Sequence, residues 1–119
     1  MLKDDLTKLC HMLDSAKEAI SFSSNRTRAD LNYDRMLTLS LIKSVEIIGE
    51  AAARTSTDIQ NKYPSIPWKN IIGMRNRLIH AYFDINLDVL WNTIIQDLPP
   101  LLTELEKVIK QETINPHNS

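Results

Sequence analysis

The sequence predicts an all-α protein, an up-and-down bundle of four to five helices. Three observations carry that expectation. Only two of the 119 residues are glycine. Apolar side chains recur at steps of three and four, the spacing that gathers them on one face of a helix. The interruptions are short and built from proline, serine and asparagine, which punctuate helices rather than extend strands. No segment alternates well enough to be read as a strand.

The first segment places Leu2, Leu6, Leu9, Leu13, Ala16 and Ile20 in one stripe, with lysines and acids opposite. That predicts an amphipathic helix packed on one side, closed by a loop at Ser21-Phe22-Ser23-Ser24-Asn25. The second helix is expected from about Asn32 to Arg54, within a few residues at each end. Its stripe is Leu37, Leu41, Val45, Ile48 and Ala52, and Met36, Leu39, Ile42 and Ile47 widen the apolar arc. So wide an arc marks the central helix of a bundle, or one that faces a second subunit. A weak continuation runs through Ile59 to Lys62.

Tyr63-Pro64-Ser65-Ile66-Pro67-Trp68 reads as a connector, with Pro67 opening a third helix where its missing N–H costs nothing. That helix turns Ile71, Ile72, Met74, Leu78 and Ile79 inward and is expected to end near His80 or Ala81. Phe83-Asp84-Ile85-Asn86 reads as a turn in which Asp84 or Asn86 caps the next helix. Leu87, Leu90, Trp91, Ile94, Ile95 and Leu98 form the buried face of that fourth helix. Pro99-Pro100 should break or kink it, and Leu101, Leu105, Val108 and Ile109, with Leu102 beside them, resume as a fifth. Residues 1–112 are read as one domain and 113–119 as a disordered tail.

Composition narrows the function classes. The net charge is −1, from 14 basic and 15 acidic side chains, so the chain does not advertise nucleic acid by a basic excess. Any RNA contact must come from a local cluster in the middle of the chain, where Arg26, Arg28, Arg35, Lys43, Arg54, Lys62, Lys69, Arg75 and Arg77 concentrate. No apolar run approaches a membrane span, and the N-terminus lacks a secretory layout. Cys10 is the single cysteine, which fits a reducing cytoplasm and a buried packing role. Trp68 and Trp91 are expected as core anchors, and His11 and His117 as incidental.

One stretch gathers chemistry. Gly73-Met74-Arg75-Asn76-Arg77-Leu78-Ile79-His80-Ala81-Tyr82 holds two arginines, an amide, a histidine and a tyrosine. Arginine forks onto phosphate, and histidine exchanges a proton near neutrality. Cleaving RNA without a metal needs a base for the ribose 2′-hydroxyl, stabilisation of the extra charge at phosphorus, and an acid for the departing 5′-oxygen. His80 suits the first or last task and Arg75 the second, while Asn76 can hold a phosphate oxygen or the imidazole. On an ideal helix Arg75 and His80 lie roughly 140° apart. They meet only if the helix unwinds near its end, if the arginine reaches around, or if two chains of a symmetric dimer bring them together. Glu46 and Glu50, one turn apart, are candidate cleft residues, as is Arg77.

The blander reading keeps His80 as a helix cap and the arginines as surface ion-pair partners. Other chemistries lack their residues: there is no glycine-rich phosphate loop, no Glu-x-x-His pair for a di-iron site, too few Cys and His for zinc, and no serine-hydrolase motif. No metal site and no cofactor are expected.

The run P-W-K-N-I-I-G-M-R-N-R-L-I-H-A-Y-F-D, followed by Leu87-Asp88, Trp91 and Asp97-Leu98-Pro99, resembles the HepT toxins, the HEPN ribonucleases of prokaryotic toxin–antitoxin pairs. The resemblance implies a dimeric HEPN bundle and a metal-independent endoribonuclease, with tRNA among its target classes. Carried onto this sequence, Arg75 and His80 would be the ribonuclease pair, with Asn76 beside the arginine. It also implies a partner, the minimal nucleotidyltransferase antitoxin MntA, which silences such toxins by adding AMP to the tyrosine two residues after the histidine, here Tyr82. It assigns no role to Glu46 or Glu50. Two alternatives stay open: a non-catalytic subunit presenting a nucleotide or substrate to that transferase, and a helical adaptor.

Overall fold

In the computed structural model, which describes residues 3–81 and 84–114 (for residues 3 and 79–81 the backbone only), helix α1 spans Lys3–Ser23 and packs along α3, Arg35–Arg54. A short α2, Asp30–Tyr33, precedes α3, and a short α4, Thr57–Lys62, follows it. Next come α5, Trp68–Ile72, and α6, Met74–Leu78, then two antiparallel strands, β1 (Ile79–Ala81) and β2 (Asp84–Ile85). The last stretch is α7, Leu87–Asn92, a π-helical segment, Thr93–Asp97, and α8, Leu98–Ile114. The all-α class holds, with a minimal ribbon added.

The first stripe is rotated from its predicted position. Leu9, Met12, Ala16 and Ala19 are fully buried, while Leu13 and Ile20 only pack against the core from the side. The buried line continues to Asp5, whose carboxylate accepts from the backbone N–H of Ser56 at 2.9 Å and from its hydroxyl at 2.7 Å. Charge therefore occupies the buried face where it ties α1 to the start of α4. The helix also runs on through Ser21, Phe22 and Ser23, where a loop was expected, and the Ser23 hydroxyl bonds back to the Ile20 carbonyl at 3.0 Å. Cys10 is half-buried rather than buried.

The second predicted helix divides at Asp34. Its carboxylate accepts from the Leu37 N–H at 3.0 Å and from Arg26 Nη2 at 2.7 Å, so it caps α3 and ends the preceding turn. The α3 stripe Leu37, Leu41, Val45, Ile48 and Ala52 is buried as predicted, and Met36 and Leu39 stand exposed. Trp68 is buried, its indole N–H donating to the Tyr63 carbonyl at 3.0 Å, and Trp91 is partly buried. Pro67 stands one residue ahead of its predicted place, at the N-cap. Asn86 caps α7 through the Val89 N–H at 3.0 Å.

Two expectations fail for stated reasons. The third helix ends at Leu78, short of His80, because Ile79 and the residues after it favour extended backbone and the Leu78 carbonyl is taken by the Asn86 N–H at 2.7 Å. The prolines do not break the last helix. The turn before them widens, the Leu98 N–H reaches back to the Thr93 carbonyl, and Pro99 and Pro100 fall in the first turn of α8. That widening also leaves Ile95, predicted to be buried, substantially exposed. Thr113 and Ile114, expected in the disordered tail, are instead the last residues of α8, and the rest of that tail, residues 115–119, lies outside the described residues. No helix among the described residues is long and apolar enough to cross a membrane.

Candidate functional site

The site is built where α6 meets α3. Gly49 permits the close approach of α5, which leads into α6: a Cβ there would lie 3.3 Å from the Ile71 carbonyl oxygen and 3.7 Å from that of Ile72. Between the helices runs an open groove of about 290 Å³, lined by Glu46, Gly49, Glu50, Ala53, Ile72, Arg75 and Asn76. Arg75 Nε donates to Glu46 Oε1 at 3.3 Å. Neither η-nitrogen of Arg75 has a hydrogen-bond partner among the described residues, so the fork that matches a phosphate stays open. Glu50 is held by Arg54 at 3.0 Å.

Four of the sequence candidates, Arg75, Asn76, Glu46 and Glu50, thus line one groove. Arg77 does not join them; it lines a separate depression against the π-helical segment. Tyr82 lies outside the described residues. His80 lies in β1, and the register of the ribbon slips around it: Ile79 stands opposite Ile85 and Ala81 opposite Asp84. Two steps on one strand match one on the other, so His80 is the extra residue of a bulge, a device that re-aims side chains beside active sites. The helix does unwind before the histidine, the first of the three ways by which Arg75 and His80 can meet.

Sequence reasoning missed Gly49, Ala53 and Ile72 as groove residues. The signal was present in Gly49 and Ala53, small residues interleaved with Glu46 and Glu50 along α3. Ile72 was read as core and is instead partly exposed at the groove. Among the described residues no group of three His, Cys, Asp or Glu is placed to hold a metal ion.

Comparison with known proteins places this chain in a family. A family model described as "Ribonuclease HepT-like" matches residues 12–108. A provisionally named RNase of Methanocaldococcus jannaschii is 36% identical over 108 residues, covering 91% of this chain and 89% of that protein. One from Caldanaerobacter subterraneus is 35% identical over 103 residues, 87% of each. A provisionally named ribonuclease HepT of Thermococcus cleftensis is 37% identical over 102 residues, 82% of this chain and 93% of that protein. No solved structure gives a significant match. With the family model covering most of the chain and these relatives aligned over most of their own length, the chain belongs to the HepT-like ribonuclease family.

Proposed function

We propose that this protein is a metal-independent endoribonuclease, the toxin of a toxin–antitoxin pair, with Arg75 and His80 as its catalytic residues and Asn76 as a phosphate or imidazole partner. The observation that carries the proposal is the state of Arg75: tethered through Nε, open at both η-nitrogens, in a groove, and five residues ahead of a histidine on a bulge. The guanidinium would neutralise the two non-bridging oxygens of the scissile phosphate as charge builds there. An imidazole would take the 2′-hydroxyl proton, the 2′-oxygen would attack phosphorus, and the 5′-oxygen would leave with a proton from an imidazolium. The products are a 2′,3′-cyclic phosphate and a 5′-hydroxyl.

One His80 per chain cannot easily serve as base and acid in a single turnover, and two copies in a homodimer would divide the roles. Tyr33 is 88% exposed and Met36 80%, with Leu39 one turn further along α3, which supports a second copy on that side. Control by an MntA-like nucleotidyltransferase would act at Tyr82, whose hydroxyl would attack the α-phosphate of ATP and release pyrophosphate. The AMP, added two residues after His80, would bring bulk and negative charge, which repels RNA.

The test is cleavage of total cellular RNA, with tRNA followed separately, by purified protein in chelator, comparing wild type, Arg75→Ala and His80→Ala. Intact mass recorded in parallel excludes prior AMP addition. Fragments from the wild type and none from the folded variants support the proposal. No cleavage by unmodified wild type overturns it and favours a subunit that only binds nucleotide for its transferase.

A further inference from the structure

Arg75 and Arg77 sit two positions apart on α6, so their side chains leave the axis roughly 160° apart. One reaches the groove, and the other reaches a depression of about 460 Å³ between α5–α6 and the π-helical segment. Pro67 and Pro100 contribute exposed apolar surface to that depression, over the buried Met74 and Leu101, and Asn70, Arg77, Gln96 and Asp97 bring polar groups to it. Its size and its few converging polar groups fit a small planar ligand. Among the described residues none of those four polar side chains has a hydrogen-bond or ion-pair partner, whereas Arg26, Arg28, Arg54 and Arg75 all do. The wall opposite Arg77 is the π-turn, an arrangement rare in helices and frequent at functional sites, and it supplies Gln96 and Asp97.

We infer that this depression is a base-reading subsite for the RNA strand and takes a guanine flanking the scissile phosphate. The inference rests on the ribonuclease proposal, because a strand lying across α6 would meet Arg75 on one side and Arg77 on the other. A carboxylate only accepts hydrogen bonds. Guanine offers it two parallel donors, N1–H and the N2 amino group, whereas uracil offers one N–H flanked by two carbonyl oxygens that repel it. The exposed rings of Pro67 and Pro100 suit the face of an unstacked base, Arg77 its neighbouring phosphate, and the amides of Asn70 and Gln96 its remaining edge. An arginine side chain of a protein partner could also seek Asp97, but it would leave Arg77 opposed by a like charge.

The experiment uses wild-type protein with two uncleavable 2′-O-methyl pentamers, UUGUU and UUUUU, and reads the side-chain amide signals of Asn70 and Gln96 by NMR. UUGUU is expected to shift both signals and to bind about tenfold tighter than UUUUU, and Asp97→Asn to erase that difference. Asp97 is exposed and has no side-chain partner among the described residues, so its substitution should leave the fold intact. Equal binding of the two pentamers, unmoved amide signals, or a response only to the protein partner overturns the inference. Sequencing the ends of cleaved RNA separates the two proposals. Cutting that depends on His80 but shows no guanosine at a fixed offset removes the subsite and leaves the ribonuclease. Amide shifts without any cutting do the reverse.

Discussion

Glu46 Oε1 receives the Nε–H of Arg75 at 3.3 Å across the α3–α6 groove, the one side-chain bond to the arginine among the described residues. Because the bond uses Nε, it orients the guanidinium without occupying its phosphate-facing fork. On the ribonuclease proposal, Glu46 would be a positioning residue. Glu46→Gln should cost under about 1 kcal/mol of stability, as for other solvent-facing pairs. It should lower the cleavage rate by about tenfold, mainly in kcat, since a misaimed guanidinium loses transition-state contacts before it loses RNA. An unchanged kcat with a raised KM would assign Glu46 to binding instead.

Replacing Arg75 tests geometry against charge. Lysine keeps the charge and loses the fork, so Arg75→Lys should remain far below wild type. Arg75→Ala should fall by about a hundredfold to a thousandfold in single-turnover cleavage. A lysine variant with near wild-type activity would show that a point charge suffices.

Gly49 sets the helix spacing. Alanine in an exposed helix gains about 1 kcal/mol over glycine, but here its Cβ would press on the Ile71 carbonyl at 3.3 Å. Gly49→Ala should show none of that gain in urea unfolding, and Gly49→Val should lose about 2 kcal/mol by overpacking. A stabilised alanine variant would mean that α5 moves aside freely.

Tyr63, Lys62 and Glu112 tie α4 to α8. Lys62 Nζ donates to Glu112 Oε2 at 2.7 Å and the Tyr63 hydroxyl donates to the same oxygen, while Oε1 is buried without a partner among the described residues. Burial pushes the Glu112 carboxyl up, but the bonds from Lys62 and Tyr63 outweigh it and leave it below the usual carboxylate range. A carboxyl lowered by folding stabilises above its unfolded pKa, and that contribution is lost as pH falls through the folded value. Wild type should therefore lose, as pH falls through the ordinary carboxylate range and below it, stability that Glu112→Gln does not lose. Tyr63→Phe should cost about 1.5–3 kcal/mol at neutral pH. Burial, then the bond to Glu112, raises the Tyr63 pKa, so its own contribution persists until strongly alkaline pH.

Met36 and Leu39 are apolar, exposed and one turn apart on α3. If they cover a second copy, Met36→Asp with Leu39→Asp should give monomers by sedimentation velocity and reduce cleavage together with dimer content. An unchanged sedimentation coefficient would move the interface elsewhere.

Much of this was legible in the sequence. Three-four spacing located the long helices, and the α3 stripe from Leu37 to Ala52 was read residue by residue. Clustered Arg75, Asn76 and His80 pointed to the site before any geometry was known. What spacing could not reveal came from single long-range bonds. Asp5 is buried because Ser56, distant in sequence, needs its carboxylate. The third helix stops early because Asn86 takes the Leu78 carbonyl. Prolines at 99 and 100 forbid an ordinary helical turn, but they do not say whether the chain will break or widen, and that choice decides where Gln96 and Asp97 stand.

The bulge at His80 has a further consequence. Arg75 is carried by a helix that braces itself with its own internal bonds. Among the described residues, the segment bearing His80 is braced by the short stretch it pairs with and by the Asn86 tie to Leu78. Asn86 also caps α7, so one residue serves as the keystone for the histidine's support and for the next helix. The spacing between the helix that carries Arg75 and the strand that carries His80 is thus governed at a joint between a self-supporting post and a hung beam. Warming should slacken that joint before it melts the bundle, and the protein should fall silent as a catalyst while it still holds its shape.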